Sequence, residues 1–447
     1  MPTAARSRQF RHPARLVVAG FAAVIAIGTM LLMLPVATRG PGGASFHNAV
    51  FQSTASVTLA GLGIVDVPTY WSPTGQAIIL ALTEVGALGI VTSSLLLIVL
   101  IARRVGLRGR LAAQAETHTT GLGGMRRLVV GIVVFTLGAQ ALISLVLFAL
   151  LLTTGRTVGD AAWEGLFHGV AAFNNTGISI TPGGVAAFAG EPGILATMAI
   201  AVIVGGLGFP VWLELQRNPR NPARWSLHAK LTLAATGILL VLGTVVITAL
   251  EWSNPRTLGG MSGIDRIVNG AFAGVMPRTA GFASLDYGEI NSDSLLFTEM
   301  LMFAGGGSGS VAGGIKVSTL ALLVFVVIAE IRGEAEVNAF RRRIPEAVQR
   351  QALTVAALSI NTIVLGALVV LASNDLPFAD VVFEVTAAFT TAGLSTGITA
   401  ELNGLGHAVL MVLMFLGRIG PLTLGVALVL RERDRRYSHP DERPLVG

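Results

Sequence analysis

One segment of the chain combines glycines with a lysine, a pairing that can bind phosphate. Residues 303–318 read FAGGGSGSVAGGIKVS, and the lysine is Lys316. A Walker-type phosphate loop needs G-x-x-x-x-G-K-[ST] between a strand and a helix. Here Ile315 precedes the lysine and Val317 follows it. The run therefore departs from the phosphate-binding pattern on both sides of the lysine, which disfavours a P-loop-like membrane ATPase.

A second set of glycines recurs in four similar segments. They read FQSTASVTLAGLG from Phe51, FHGVAAFNNTGIS from Phe167, AFAGVMPRTAGFA from Ala271 and FEVTAAFTTAGLS from Phe383. Each has a glycine ten residues after its first position, followed by a bulky apolar residue. These pairs are Gly61 and Leu62, Gly177 and Ile178, Gly281 and Phe282, and Gly393 and Leu394. Repetition of this kind indicates four copies of one structural unit.

The repeated segments suit the binding of a dehydrated cation. Each lies in a short apolar stretch between two longer ones, as a re-entrant helix does, and is too short to cross a bilayer. Glycine adopts positive φ without strain, so a turn there can aim successive carbonyls at one axis. Four such turns can replace the water shell of a potassium ion. The partly negative C-terminal ends of the short helices favour a cation at the same point.

The longer stretches predict a protein embedded in a membrane. The chain is 53% hydrophobic and 13% charged, whereas soluble domains carry about 25% charged residues. Eight runs have roughly the 20 residues that cross a bilayer. Five are free of charge and three carry isolated polar residues; the runs cover 16–36, 76–100, 128–152, 193–213, 231–250, 294–329, 351–372 and 405–430. With no cysteine, disulfides and iron–sulfur clusters are excluded.

The distribution of charge predicts the orientation. Of the 31 Lys and Arg residues, 24 lie in the segments that are cytoplasmic if the N-terminus is inside. This bias follows the positive-inside rule and places both termini in the cytoplasm, so the net charge of +6 does not indicate nucleic-acid binding. The outer loops carry twelve carboxylates against four arginines, which attracts cations.

Charged residues at membrane depth are costly and therefore indicate function. Arg418 lies near the middle of the last run, and Lys316 follows the glycine run, where it either reaches the cytoplasm or joins a gate. We expect the side chain of Arg278 to brace its loop while only its carbonyl faces the ion. Three acidic residues, Glu84, Glu299 and Glu384, are expected to anchor by hydrogen bonds the loops that carry the four repeated glycines.

These motifs resemble the Trk/Ktr/HKT superfamily of potassium transporters, and most closely its KtrB-type membrane subunits. The resemblance covers about residues 14–430 and is most specific at NNTGIS, MPRTAGF, FTTAGLS and the glycine run. It implies an all-α integral membrane fold with four pseudo-repeats of helix, re-entrant pore helix, filter loop and helix around a central ion pore. The repeats would span 14–102, 126–215, 229–332 and 350–431, between cytoplasmic tails 1–13 and 432–447.

The resemblance also implies the residues that handle the ion. Potassium would be bound by backbone carbonyls of four tetrapeptides: Thr58, Leu59, Ala60 and Gly61; Asn174, Asn175, Thr176 and Gly177; Arg278, Thr279, Ala280 and Gly281; and Thr390, Thr391, Ala392 and Gly393. A gating loop over 304–314 would lie beneath them. Its gate residues would be Gly305, Gly306, Gly307, Gly309, Gly313, Gly314, Lys316 and Arg418.

The function implied is potassium uptake across the plasma membrane, the inner membrane of the cell, without enzymatic chemistry or a covalent cofactor. A sodium-coupled or weakly selective cation transporter of the same architecture is the alternative. The resemblance implies a homodimer regulated by a separate cytosolic nucleotide-binding ring subunit of the KtrA type, since this chain has no such domain. Residues 341–343 and 431–436 are candidate docking segments, and contact with membrane lipids explains their arginines equally well.

Overall fold

The computed structural model describes residues 13–104 and 122–430, which are almost entirely helical. Of the predicted cytoplasmic tails only Pro13 is described, and the basic segment 431–436 also lies outside the described residues. The one sheet found in the described part is a hairpin of β1 (Asn338–Ala339) and β2 (Arg342–Arg343). The chain therefore has the all-α architecture that the sequence predicts.

In each repeat a long helix is followed by a short one and then by a second long segment, which is bent in the second repeat and split in the third. In chain order they are α1 (Pro13–Leu32), α2 (Phe46–Thr58), α3 (Val67–Tyr70), α4 (Pro73–Arg104), α5 (Leu122–Thr153), α6 (Val158–Phe173), α7 (Pro192–Leu207), α8 (Phe209–Arg217), α9 (Leu227–Glu251), α10 (Gly263–Val275), α11 (Ser292–Phe303), α12 (Val317–Ile331), α13 (Glu346–Ser373), α14 (Phe378–Thr390) and α15 (Gly404–Leu430).

The helices formed by the four repeated segments, called the short helices below, are α2, α6, α10 and α14, with 13, 16, 13 and 13 residues. None reaches the roughly 20 residues that cross a bilayer. Side-chain caps start two of them, since Ser45 accepts from Asn48 N–H and Thr157 accepts from Asp160 N–H. A cap satisfies one of the N–H groups that the first helical turn leaves unpaired. The predicted short apolar stretches are therefore helices in all four copies.

Each group of helices packs on the next, and the last packs on the first. Helix α4 contacts α6, α7 contacts α10, α11 contacts α14, and α15 contacts α2. These four contacts close a ring of four units. The C-terminal halves of the short helices are buried at its centre, as Gln52 to Thr58 are in α2.

Several of the long helices expose most of their apolar surface. Four described helices are long and apolar enough to cross a membrane, over Arg15–Leu32, Val129–Thr153, Leu227–Glu251 and Glu346–Ser373. In Leu227–Glu251 only 17% of the most apolar window is buried. Apolar residues such as Val241, 63% exposed, form the outer surface that a protein in hydrocarbon requires. The other predicted spans coincide with α4, with α15, with the bent pair α7 and α8, and with the split pair α11 and α12.

The span predicted over 193–213 is formed by two helices that meet at a bend. The pair α7 and α8 is bent by 90° at Gly208, whose φ is +91°. Glycine adopts this conformation without the steric cost that a Cβ brings, and Pro210 fits the first turn of α8 because that turn leaves its N–H groups unpaired. A Cβ on Gly208 would approach the carbonyl oxygen of Ser308 to 2.7 Å. The bend therefore lets the chain pack against the glycine run.

Candidate ion-binding site

The loops after three of the short helices share one backbone turn. A residue with positive φ follows the helix in each: Leu59 (+59°), Asn175 (+56°) and Thr391 (+53°). The next residue donates its N–H to a carbonyl five residues back, from Ala60 to Ala55, from Thr176 to Ala171 and from Ala392 to Ala387. This is the Schellman termination of a helix. It turns the chain sharply toward the centre of the ring at equivalent positions.

The loop of the third repeat reaches the same place by a different turn. A 3-10 turn over Met276–Arg278 follows α10, and Pro277 has no N–H with which to continue the helix. The Met276 carbonyl accepts from the N–H groups of Thr279, Ala280 and Gly281. The predicted equivalence of Arg278 and Thr279 with the other copies therefore holds in position along the chain, but not in backbone conformation.

The four repeated glycines form a closed ring of backbone contacts. All have positive φ: +73° at Gly61, +71° at Gly177, +64° at Gly281 and +82° at Gly393. A Cβ added to any of them would lie under 3.0 Å from a carbonyl oxygen of the next repeat. In order around the ring, the carbonyls that these glycines approach belong to Thr176, Ala280, Ala392 and Ala60. Only glycine fits at these positions. Because the contacts run from each repeat to the next, repeats 1 and 3 lie opposite each other, and so do repeats 2 and 4.

The carbonyl oxygens of the four loops are free to bind a ligand. In the part of the chain that the structure describes, no hydrogen bond to a backbone oxygen of the sixteen predicted filter residues is found. Buried carbonyls are normally paired, so these oxygens can accept a further partner, and a cation is one that carbonyl oxygens can bind. The described residues contain no group of three or more His, Asp or Glu side chains able to hold a metal. Rings of backbone carbonyl oxygens suit a monovalent cation such as potassium.

Polar side chains hold the loop of the second repeat from behind. The Glu84 carboxylate accepts from Asn174 Nδ2 at 2.7 Å and from Gln140 Nε2 at 2.8 Å. The Asn175 amide lies 2.7 Å from the Thr279 hydroxyl and so joins the second loop to the third. The expectation that Glu84 anchors a filter loop is met. Gln140 was not predicted, although a glutamine within an apolar span is itself an unusual signal.

The other two acidic residues differ from each other. Glu384 is 1% exposed and accepts from the Thr399 hydroxyl beyond the fourth loop, as an anchoring residue should. Glu299 has no hydrogen-bond partner within the described residues, so the expectation is not met there. It lies on α11, whose neighbours Leu296 and Met300 are exposed. Its helix therefore does not present it to a filter loop.

The glycine run separates α11 from α12 and packs against the fourth of the predicted filter loops. Gly307 N–H donates to the Gly206 carbonyl at 2.8 Å, and Gly314 N–H donates to the Gly417 carbonyl at 3.1 Å. Added Cβ atoms on Gly313 and Gly314 would contact Thr391 and Thr390, which belong to the fourth loop. The chain thus has a non-helical segment between Phe303 and Val317, where the resemblance implies a loop over 304–314, and this segment lies beside the ring.

Three cationic side chains bind the carbonyls of this run. Arg418 Nη1 donates to the Val311 carbonyl and Lys316 Nζ donates to that of Ala312. Arg278 Nη2 donates to the Gly305 carbonyl at 3.4 Å, which is the bracing role expected of it. Arg418 is 3% exposed, and its Nε and Nη2 have no hydrogen-bond partner within the described residues. Lys316 therefore binds the run, which favours the gate over the cytoplasmic alternative.

Comparison with known proteins agrees with this geometry. The family described as TrkH, cation transport protein, matches residues 3–438. The chain is 36% identical to the Ktr system potassium uptake protein B of Bacillus subtilis, over 97% of each chain. It is 30% identical to the potassium/sodium uptake protein NtpJ of Enterococcus hirae, over 99% of each.

A solved structure shares the fold. The potassium transporter TrkH from Vibrio parahaemolyticus superposes with a TM-score of 0.71 at 17% sequence identity, covering 94% of this chain and 84% of that one. The family match spans nearly the whole chain and describes transport rather than enzymatic chemistry. The chain belongs to the TrkH family of cation transport proteins and is a multi-pass membrane transporter of the Trk/Ktr type.

Proposed function

We propose that this protein takes up potassium through a filter of backbone carbonyls supplied by the four loops. One observation carries the proposal: Gly61, Gly177, Gly281 and Gly393 each approach a carbonyl of the next repeat, and the contacts close into a ring. The unpaired carbonyls of that ring can replace the hydration shell of a potassium ion. The ion is the substrate, and no other cofactor is needed.

The ends of the short helices support a cation at the same place. All four helices direct their C-terminal ends at the loops, and each end carries a partial negative charge of about half an elementary charge. The Glu84 carboxylate behind the second loop adds to this field. The relatives named above are described as potassium or potassium/sodium uptake proteins, which supports potassium as the substrate.

A sodium-coupled or weakly selective transporter is the second candidate. The relative from Enterococcus hirae, described as a potassium/sodium uptake protein, favours it. The carbonyl ring itself accepts either ion, because selectivity depends on the spacing and stiffness of the oxygens. Glycine at position 61 favours potassium by resemblance, and measurements with both ions separate the two candidates.

The glycine run and its cations are proposed as the gate. The run lies against the fourth filter loop, and Arg418 and Lys316 hold its carbonyls. A fixed guanidinium beside the pore repels cations, and an interrupted helix can move more easily than an intact one. The P-loop alternative is disfavoured further because Lys316 is engaged by the run itself.

Regulation is proposed to come from a separate cytosolic subunit that binds nucleotide. The relative from Bacillus subtilis is named as one protein of a Ktr system, which supports a multicomponent assembly. In the hairpin between α12 and α13, the arginines at 341–343 are exposed, and both turn residues, Phe340 and Arg341, have positive φ. This hairpin is a candidate docking site for the regulatory subunit. Contact of the same arginines with lipid head groups is the alternative. A homodimer in the plasma membrane with both termini inside completes the proposal.

Serine substitutions in the ring test the filter. We expect Gly177→Ser and Gly281→Ser to lower potassium uptake by at least tenfold or to change the potassium-to-sodium ratio, because the added side chain meets a carbonyl of the next repeat. Uptake of each ion is measured in cells that lack their own potassium uptake, after normalisation to the amount of protein in the membrane. An effect of about tenfold corresponds to about 1.4 kcal/mol.

A matched variant controls for the substitution itself. Gly237 lies on α9, where an added Cβ meets nothing within 4 Å, so Gly237→Ser should leave both uptake and selectivity unchanged. Wild-type uptake and selectivity in both ring variants, at equal abundance, would contradict the filter assignment. Equal effects in all three variants would show a general cost of serine rather than a ring.

A further inference from the structure

At two aligned positions of the four repeats, the residue types alternate around the ring, so that repeats 2 and 4 differ from repeats 1 and 3. Nine residues before the filter glycine, the short helices carry Gln52, His168, Phe272 and Glu384. All four side chains are buried. Two residues after the glycine, the loops carry Gly63, Ser179, Ala283 and Ser395. A hydroxyl thus faces a titratable side chain in repeats 2 and 4, and in neither of the other two.

In the second repeat, the histidine and the serine are joined directly. His168 Nδ1 is 2.9 Å from the Glu164 carbonyl, and His168 Nε2 is 2.9 Å from Ser179 Oγ. A carbonyl only accepts, so Nδ1 carries the proton and Nε2 accepts from the Ser179 hydroxyl in the neutral ring. Ser179 Oγ in turn accepts from Thr181 N–H at 3.2 Å. Both capacities of this hydroxyl are therefore used to hold the chain beyond Gly177.

In the fourth repeat, the same serine is held through one more hydroxyl. Thr399 Oγ1 donates to the Glu384 carboxylate, so the Ser395 hydroxyl, 3.1 Å from Thr399 Oγ1, donates to it. Ser395 Oγ accepts from Gly397 N–H at 2.9 Å. The equivalent serines thus donate toward the short helix and accept from the backbone two residues on. Thr399 lies between the serine and the titratable side chain in the fourth repeat, whereas Ser179 meets His168 directly.

The other diagonal of the ring has no such connection. Gln52 Nε2 is 3.4 Å from Ser56 Oγ of its own helix, and its Oε1 has no hydrogen-bond partner within the described residues. Phe272 has no polar atom to offer, and Gly63 and Ala283 have no hydroxyl. Since repeats 2 and 4 lie opposite each other, the polar connections occupy one diagonal of the ring only.

We propose that His168 and Glu384 are positioning residues of the ion filter, which hold the outer ends of the loops of repeats 2 and 4 through Ser179 and Ser395. The inference rests on the proposed function of the ring. Because only one diagonal is held, the stiffness of the outer mouth of the filter has two-fold rather than four-fold symmetry. Carbonyls on the held diagonal keep their spacing as ions enter, and those on the other diagonal adjust. Discrimination between potassium and sodium depends on such spacing and stiffness.

Removal of the serine hydroxyls tests the role without disturbing the ion-binding backbone. In Ser179→Ala and Ser395→Ala we expect normal amounts of protein in the membrane and a potassium-to-sodium uptake ratio lowered by up to about fivefold, the factor of about one net hydrogen bond. Ser56→Ala is the matched control, since it removes a buried hydroxyl beside Gln52 in a repeat that lacks the network. That variant should keep the ratio of the wild type.

Conservative and disruptive variants of the titratable residues separate positioning from packing. Glu384→Gln keeps an oxygen that accepts from Thr399 and should retain most of the ratio, whereas Glu384→Leu should lose it. A double-mutant cycle of His168→Leu with Ser179→Ala should show that the two changes together cost no more selectivity than His168→Leu alone, because they remove the same connection.

The results distinguish the failure of this inference from the failure of the filter assignment. A wild-type ratio in both serine variants, with a changed ratio in Gly177→Ser, overturns the positioning role and leaves the filter in place. A wild-type ratio in Gly177→Ser as well removes the filter assignment on which the inference rests. Equal losses in Ser56→Ala and in the two serine variants would also overturn it, because the effect would then be unrelated to the held diagonal.

Discussion

The filter ring and the glycine run both depend on glycine, but they treat their carbonyls in opposite ways. In the ring, each glycine is contributed by a different repeat and approaches the backbone of the next one, and the carbonyls have no partner within the described residues. In the run, the glycines lie in one continuous segment, and Arg418, Lys316 and Arg278 bind three of its carbonyls. Free carbonyls can coordinate an ion, whereas carbonyls already bound by fixed cations cannot. This difference supports the proposal that the ring binds the ion and that the run obstructs its path.

Removal of Arg418, the most deeply buried of the cationic side chains that bind the run and are proposed as its gate, should give the largest effect. We expect Arg418→Ala to raise potassium flux about tenfold. A unit charge about 4 Å from an ion is worth about 4 kcal/mol at an effective dielectric constant of about 20, and removal of about 1.4 kcal/mol of barrier suffices for that factor. The variant also frees the Val311 carbonyl, which loosens the run. Flux is measured in vesicles that contain equal amounts of purified protein.

Arg418→Lys is the control for this experiment, because it keeps the charge and changes its geometry. Its flux should lie nearer to that of the wild type. A fall in flux in Arg418→Ala at normal expression would show that the arginine supports the pore rather than obstructing it, and the contrast between ring and run would then be wrong.

Lys316 should give a smaller effect in the same direction. Its ammonium group holds one carbonyl, that of Ala312, and it is half-buried where Arg418 is fully buried. We expect Lys316→Met to raise flux by about two- to threefold, since solvent screens the charge of a partly exposed group more strongly. The same vesicle assay measures it, with Lys316→Arg as the variant that preserves charge. A larger gain than that of Arg418→Ala would reverse the order of the two cations in the gate.

The ring was easier to predict from the sequence than the contacts that support it. Four copies of a short helix and a glycine are visible because repetition makes a weak local signal strong, and the break at 304–316 follows from the glycines themselves. The bend at Gly208 was not predicted, because glycines in an apolar run, here Gly205, Gly206 and Gly208, are also compatible with a continuous helix. It is the contact with Ser308, distant in sequence, that decides the conformation.

The supporting side chains show the same limit. Glu84 was expected to anchor a loop, but its partner Gln140 lies 56 residues away, and no local pattern joins them. Glu299 looked equivalent to Glu84 because both interrupt apolar runs near their outer ends. They differ because the helix of Glu84 turns it toward a loop and the helix of Glu299 does not. A single polar residue in an apolar run does not reveal which face of its helix is buried. The alignment of repeats, extended beyond the glycines, is the signal that finds His168 and Glu384.

The smallest expected effect concerns this pair of glutamates. Glu84→Gln keeps an oxygen that accepts from Asn174 and Gln140 but removes the negative charge behind the second loop. We expect the preference for potassium over sodium to fall by about twofold, at the lower end of the net contribution of a typical hydrogen bond. Competition between the two ions in the uptake assay measures the preference. Glu299→Gln is the matched control, because it makes the same chemical change at an acidic residue with no hydrogen-bond partner within the described residues. If both variants shifted the preference equally, the charge of the outer membrane region, rather than the contact with Asn174, would set it, and Glu84 would no longer belong to the support of the ring.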